Sequence, residues 1–324
     1  MKTTTTTNTK LYELIDYYQV CNRCANKSPR TISWYTDNLN QFLNYLKSHK
    51  LSDSVDDIDI KVLRQYVLYL MKRKKFKGKN GNGSNGNDPG TLAPLSVHGH
   101  VRTLRAFFSW LTNEEIIPQN PASQLKPPKV PKTLIAILSD KEISRIMSSF
   151  SKSNYLDARN QTIFMLLIDT GIRIGEAMGL TLDDLYLNDG YIKVFGKGQR
   201  ERIVPIGNNV QKAIHRYLFR YRPEPASSDT NNVFLSMLKR QMSYNAMKLV
   251  FNRLAERTGI KRLHAHLCRH TFATKFLTNG GDIFTLQKIL GHSTLEMVRR
   301  YSNLNSDHVR AQHQKYSPMD RLSA

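Results

Sequence analysis

The chain has 324 residues, 40% of them hydrophobic, and carries 48 Lys plus Arg against 26 Asp plus Glu, a net charge of +22. That length suits one large domain or two ordinary ones, and the apolar content excludes a disordered chain. The apolar run Ile163-Phe-Met-Leu-Leu-Ile168 is far too short to span a bilayer, and the N-terminal MKTTTTTNTK lacks the apolar stretch of a secretory signal. Three cysteines (Cys21, Cys24 and Cys268) suit a reducing, cytoplasmic compartment better than a disulfide framework. The positive excess is spread along the chain: residues 1–133 hold 20 basic and 10 acidic residues, and the rest hold 28 and 16. A polyanion that touches both parts is therefore the expected partner, which means nucleic acid and no membrane.

Taken in chain order, the elements begin with a short helix over about 10–24. Ser28 then reads as an N-cap with Pro29 in the first helical position, and Ile32, Tyr35, Leu39, Phe42, Leu43 and Leu46 make one apolar face. Further helices are expected over 59–76, with Val62, Leu63, Tyr66, Val67 and Leu70 inward, and over 95–112, with Val101, Leu104, Phe107, Phe108 and Leu111 inward. Between them GKNGNGSNGNDPG (78–90) reads as a flexible loop. The four helices form an all-helical bundle over 1–117. The proline-rich stretch PQNPASQLKPPKVPK (118–132) opens a linker that runs to 137.

The second domain, 138–324, starts on a capping box, with Ser139 as N-cap and Glu142 three residues on. Helices follow at about 140–150 and 157–170. The period then changes: Asn188-Asp189-Gly190 marks a hairpin turn between two short strands, and GKGQRE leads to a third at 202–205. Helical patterns return at 243–258, 268–279, 283–290 and 294–302. The expected fold class is mainly α: a helical bundle plus an α+β domain with a small antiparallel three-stranded sheet.

Four stretches hold residues suited to phosphate chemistry. In DTGIRIGEAMGL, Arg173 follows Thr170-Gly171 and Glu176 lies three residues on. In GKGQRER, Lys197 sits between glycines in a turn. In HAHLCRHTFAT, His266 and Arg269 are one helical turn apart. In LGHSTLEMVRRY, a tyrosine, Tyr301, comes nine residues after His292. Each alone is weak. In this order, over about residues 10–303, they resemble the tyrosine recombinase (phage-integrase) family, in its simple two-domain, Xer-like form. Cys268, where leucine is usual, and Ala177-Met178 depart from the family pattern without removing a polar group.

The chemistry explains the residue types. A phosphodiester gains negative charge in its pentavalent transition state, and Arg173 and Arg269 can present forked donors to the non-bridging oxygens. His266 and His292 can add hydrogen bonds to them. Tyr301 is the candidate nucleophile; its phenol, with an ordinary pKa of about 10, needs a cationic site or a base, for which His266 is the candidate. Lys197 is the candidate acid for the departing 5′ oxygen, and Glu176 orients the cationic cluster. Attack yields a 3′-phosphotyrosine and a free 5′ hydroxyl. The link conserves the bond energy, so no cofactor and no metal are expected. The C-x-x-C at Cys21 and Cys24 lacks a second ligand pair at zinc spacing. His270 reads as a packing or supporting residue and His264 as a solvated one. The resemblance further implies a SAM-like core-binding domain at the N-terminus. It also implies a homotetramer on two double-stranded DNA sites and strand exchange through a Holliday junction; in the family a tail such as that beyond residue 303 often docks on a neighbouring protomer, a frayed terminus being the alternative. A topoisomerase-like relaxing enzyme and a non-catalytic DNA-binding protein remain the alternatives.

Overall fold

The computed structural model describes residues 9–73, 91–130, 136–151, 154–196, 201–292, 294–299, 301 and 313–319. Two compact units divide the chain, residues 1–132 and 133–324.

The first unit is built on α1 (Leu11–Cys24), α2 (Pro29–Ser48), α3 (Ile60–Lys72) and α4 (Pro94–Asn113). The starts of α2 and α3 are fixed by side chains: the Thr31 amide donates to Ser28 Oγ at 3.3 Å, and the Val62 amide to Asp59 Oδ1 at 2.9 Å. α2 packs on α1 and α4, and α3 packs on α4. Their apolar stripes meet in a core that includes Leu39, Phe42, Leu46, Leu63, Tyr66, Leu70, Val101, Leu104, Phe107 and Leu111. Tyr35 and Val62 sit at its edge, partly buried. Helix α3 ends at Lys72, where Arg73 is already extended; residues 74–76 of the expected helix and the glycine-rich loop lie outside the described residues. Part of the proline-rich stretch packs on this unit: Ala122 and Leu125 are buried in its core, and Asn120 donates to Ser109 Oγ. Apolar side chains placed between the prolines draw that segment inward.

The second unit runs α5 (Asp140–Ser148), α6 (Tyr155–Thr170), α7 (Ile174–Gly179), β1 (Leu185–Tyr186), β2 (Tyr191–Phe195), β3 (Glu201–Pro205), α8 (Asn208–Arg216), α9 (Tyr244–Thr258), α10 (Ala265–Thr278), α11 (Ile283–Leu290) and α12 (Glu296–Arg299). The Ser139 capping box is present in both directions. The strands form an antiparallel sheet of order β1-β2-β3, with Tyr186 opposite Tyr191 and Lys193 opposite Ile203. Gly190, at φ +73°, turns the first hairpin.

Three features were not anticipated. α7 and α8 were not expected, being only 6 and 9 residues long. α10 begins at Ala265, three residues earlier than its apolar pattern suggests, so His266 lies within its first turn. The centre of the unit is α6 against α10, flanked by β3 packed on α11. That arrangement brings the end of α6, the start of α10 and the end of α11 to one place.

Candidate active site

Gly171 closes α6 in the left-handed conformation, φ +61°. A side chain there would collide with Phe272 of α10 and come within 2.9 Å of Leu290. Only glycine lets the three helices approach so closely. This contact puts the Gly171 carbonyl within 2.7 Å of Arg269 Nη1, which donates to it. Arg269 Nη2 donates to the Leu290 carbonyl at 2.9 Å and to His292 Nε2 at 2.7 Å. Arg269 is 2% exposed, and these contacts occupy three of the five N–H donors of its guanidinium. Its plane is thereby fixed before any substrate arrives. Because His292 Nε2 accepts, the imidazole proton sits on Nδ1, a buried atom with no partner among the described residues.

Arg173 stands at the start of α7, with its side chain 41% exposed. Glu176 anchors it twice, accepting from the Arg173 amide at 2.7 Å and from Nη1 at 2.9 Å. The same carboxylate receives a forked pair from Arg202 on β3: Nη1 to Oε1 at 3.0 Å and Nη2 to Oε2 at 2.8 Å. Arg202 Nε donates in addition to the Ile289 carbonyl at 2.8 Å. Gly291, at φ +62°, lies against this guanidinium, and a side chain there would come within 3.1 Å of its Cζ. Arg202 therefore ties together α7, the sheet and the turn that carries His292. In the sequence Arg202 does not stand out, because a strand arginine looks like a solvated one. The available signal was its place five residues after Lys197, on the strand that leaves the same hairpin.

Two guanidiniums thus bind one carboxylate, and the charge of that carboxylate also acts on Arg269. Burial raises the proton affinity of Glu176, but the Arg202 and Arg173 hydrogen bonds outweigh it, and the carboxyl stays below its ordinary range. Burial, with the charge of Arg173 next, lowers Arg269 to about 10, and nearby Tyr301 acts on it in the opposite sense. Burial and the charges of Arg269, Arg173 and Arg202 lower His292 to about 4, so it is neutral at physiological pH. Such a positive excess is what an anionic substrate relieves. Breaking it internally is costly: Arg202→Met should destabilise the fold by about 1–3 kcal/mol, since it takes the forked partner from a carboxylate that is 5% exposed and leaves it to Arg173. Denaturant unfolding measures this, and Glu176→Gln in the same background should recover part of the loss.

Arg173, His266 and Arg269 line a pocket of about 510 Å³, together with Tyr244, Lys248 and Phe251. His266 and His270 lie one turn apart on α10, with ring centroids 4.3 Å apart, edge to face. Tyr301 is 7% exposed and packs among Leu277, Leu286, Leu290 and Val298. Its hydroxyl is 2.9 Å from Nδ1 of His270. Of the residues expected at the site, the structure thus gathers Arg173, Glu176, His266, Arg269, His292 and Tyr301 around the junction of α6, α7, α10 and α11. It adds Arg202 and His270. Lys197 lies outside the described residues, as does most of the tail beyond residue 303. His264 is exposed, with Nδ1 against the Arg262 carbonyl.

Comparison with known proteins gives a consistent result. Residues 136–308 match the model of the phage integrase family, and residues 11–126 match the phage integrase SAM-like domain. The chain is 30% identical over 308 residues to tyrosine recombinase XerC of Oceanobacillus iheyensis, covering 94% of both chains. It is 26% identical to XerD of the same organism, over 95% of this chain and 98% of that one. Among solved structures it resembles the Tn1549 transposon integrase in complex with transposon right end DNA. That match has a TM-score of 0.73 and 20% identity, and covers 95% of this chain and all of that one. It also resembles the XerH site-specific recombinase bound to its palindromic difH substrate, with a TM-score of 0.69 and 19% identity over 92% and 83% of the two chains.

Proposed function

The chain belongs to the phage integrase family of tyrosine recombinases, and we propose that it recombines two double-stranded DNA sites, cleaving each strand with Tyr301. The carrying observation is the arginine-lined pocket: Arg269, with its plane fixed by two carbonyls and His292, beside Arg173 and His266. The donors that Arg269 and Arg173 do not spend on the protein are directed to the non-bridging oxygens of the scissile phosphate, where charge grows in the transition state. His266 and His292 hydrogen-bond to the same group. For His292 this requires the phosphate to displace Arg269 from Nε2 and the ring proton to move from Nδ1 to Nε2. Tyr301 attacks phosphorus, and Lys197 protonates the departing 5′ oxygen. Glu176 and Arg202 hold Arg173 and the His292 turn in place. The unit of residues 1–132, basic like the other, grips the duplex as the core-binding domain, and four copies on two sites exchange strands through a Holliday junction in the cytoplasm. Neither a metal nor a nucleotide cofactor has a part in this scheme.

The test begins with selection of a binding site from random DNA. Two copies of that site are then placed on one supercoiled plasmid and incubated with the protein. Deletion or inversion products are the expected result. Topoisomers without joined sites would point to a relaxing enzyme, and binding without a covalent adduct would point to a non-catalytic module.

A further inference from the structure

We infer that His270 is the base that takes the Tyr301 proton during strand cleavage. The inference rests on the recombinase reading above and gives to His270 the step for which the sequence made His266 the candidate. Four histidines stand at the site, and their contacts separate them; His264 lines the pocket but turns its Nδ1 to the Arg262 carbonyl. His292 has its Nε2 lone pair engaged by Arg269, and burial lowers its pKa to about 4, which makes it a poor base. His266 lines the phosphate pocket beside Arg173 and Arg269. His270 is the histidine whose ring nitrogen lies at hydrogen-bond distance, 2.9 Å, from the hydroxyl that must lose a proton.

The geometry is held on both sides. Packing against Leu277, Leu286, Leu290 and Val298 fixes the tyrosine ring. The His270 ring is braced by the His266 ring one turn earlier on α10. A phenol with an ordinary pKa of about 10 is almost wholly protonated near neutral pH, so an acceptor already in place is chemically useful.

The step balances as follows. His270 begins with its proton on Nε2 and a lone pair on Nδ1. The Tyr301 proton passes to Nδ1, and the electron pair it leaves on the phenolic oxygen forms the bond to phosphorus. The bond from phosphorus to the 5′ oxygen breaks, and that oxygen takes a proton from the acid, Lys197 in the proposed scheme. In rejoining, the 5′ hydroxyl attacks, the phosphotyrosyl bond breaks, and His270 returns its proton to the tyrosine.

The experiment uses the full chain in single-turnover cleavage of its selected site, with the covalent adduct resolved on denaturing gels. His270→Asn is the decisive variant. The asparagine oxygen can stand near the position of Nδ1 and accept a hydrogen bond, yet cannot take a proton. Each variant is assayed on ordinary DNA and on DNA whose 5′ bridging oxygen is sulfur, a leaving group that departs without protonation. We expect His270→Asn to bind DNA and melt like the wild type, and to form adduct slower by a factor on the order of 10² or more on both substrates. His270→Ala should recover rate with added imidazole and not with added pyrazole, a ring of the same size that is a far weaker base. Near-wild-type cleavage by His270→Asn would overturn the inference. So would restoration of its rate by the sulfur substrate, which would place His270 at the leaving group. Adduct formation by the wild-type chain, and its absence in Tyr301→Phe, test the recombinase reading separately.

Discussion

Tyr301→Phe is expected to bind its DNA site with wild-type affinity and to form no covalent adduct at all. The substitution removes one oxygen. The ring is 7% exposed and packs among Leu277, Leu286, Leu290 and Val298, contacts a phenylalanine keeps. What is lost in the fold is the hydrogen bond to His270, about 1 kcal/mol. What is lost in the reaction is the only atom of that side chain able to attack phosphorus, so the effect on cleavage is total. The measurement is a denaturing gel of labelled site DNA after incubation, beside a binding titration. A DNA adduct that survives detergent in the variant would assign the nucleophile elsewhere.

The second large effect is expected at the arginines, and the two should part company. Arg173→Lys and Arg269→Lys both keep the charge and both lose the planar fork, so each should lower single-turnover cleavage by roughly 10²–10³, as when a preorganised transition-state donor is removed. Their stabilities should differ. Arg173 is 41% exposed, so its replacement should leave the melting temperature nearly unchanged. Arg269 is 2% exposed and serves the carbonyls of Gly171 and Leu290. A lysine cannot reach both, and each buried acceptor left without a donor costs about 1–3 kcal/mol. Parallel denaturation and cleavage curves check this contrast. Cleavage by Arg269→Lys at the wild-type rate would show that this guanidinium does not meet the phosphate.

By itself the sequence determined the elements whose causes are local. Ser28-Pro29 and Ser139…Glu142 fix helix starts because the capping groups are neighbours in the chain. The period of 3.6 in α2, α3 and α4 marks the faces that form the first core, and the change of period near Tyr186 marks the sheet. The order of Arg173, Lys197, His266, Arg269, His292 and Tyr301 was legible because a family pattern is itself a linear object. The short helices were not legible, since α7 has too few residues to display a period. The segment 118–126 looked like a spacer because prolines hide the turn, closed by the Leu125 amide on the Ala122 carbonyl, that buries Ala122 and Leu125.

Only the tertiary structure decided which side chains share an atom. Arg202 and Glu176 are 26 residues apart, and Arg202 meets the Ile289 carbonyl across 87. His270 reaches Tyr301 across 31. These contacts depend on α6, α10, α11 and β3 converging at two glycines of positive φ: Gly171, where a side chain would collide with Phe272, and Gly291, which lies close against Arg202. Periodicity records which face of a helix turns inward, but it carries no information about which distant residue will be waiting there.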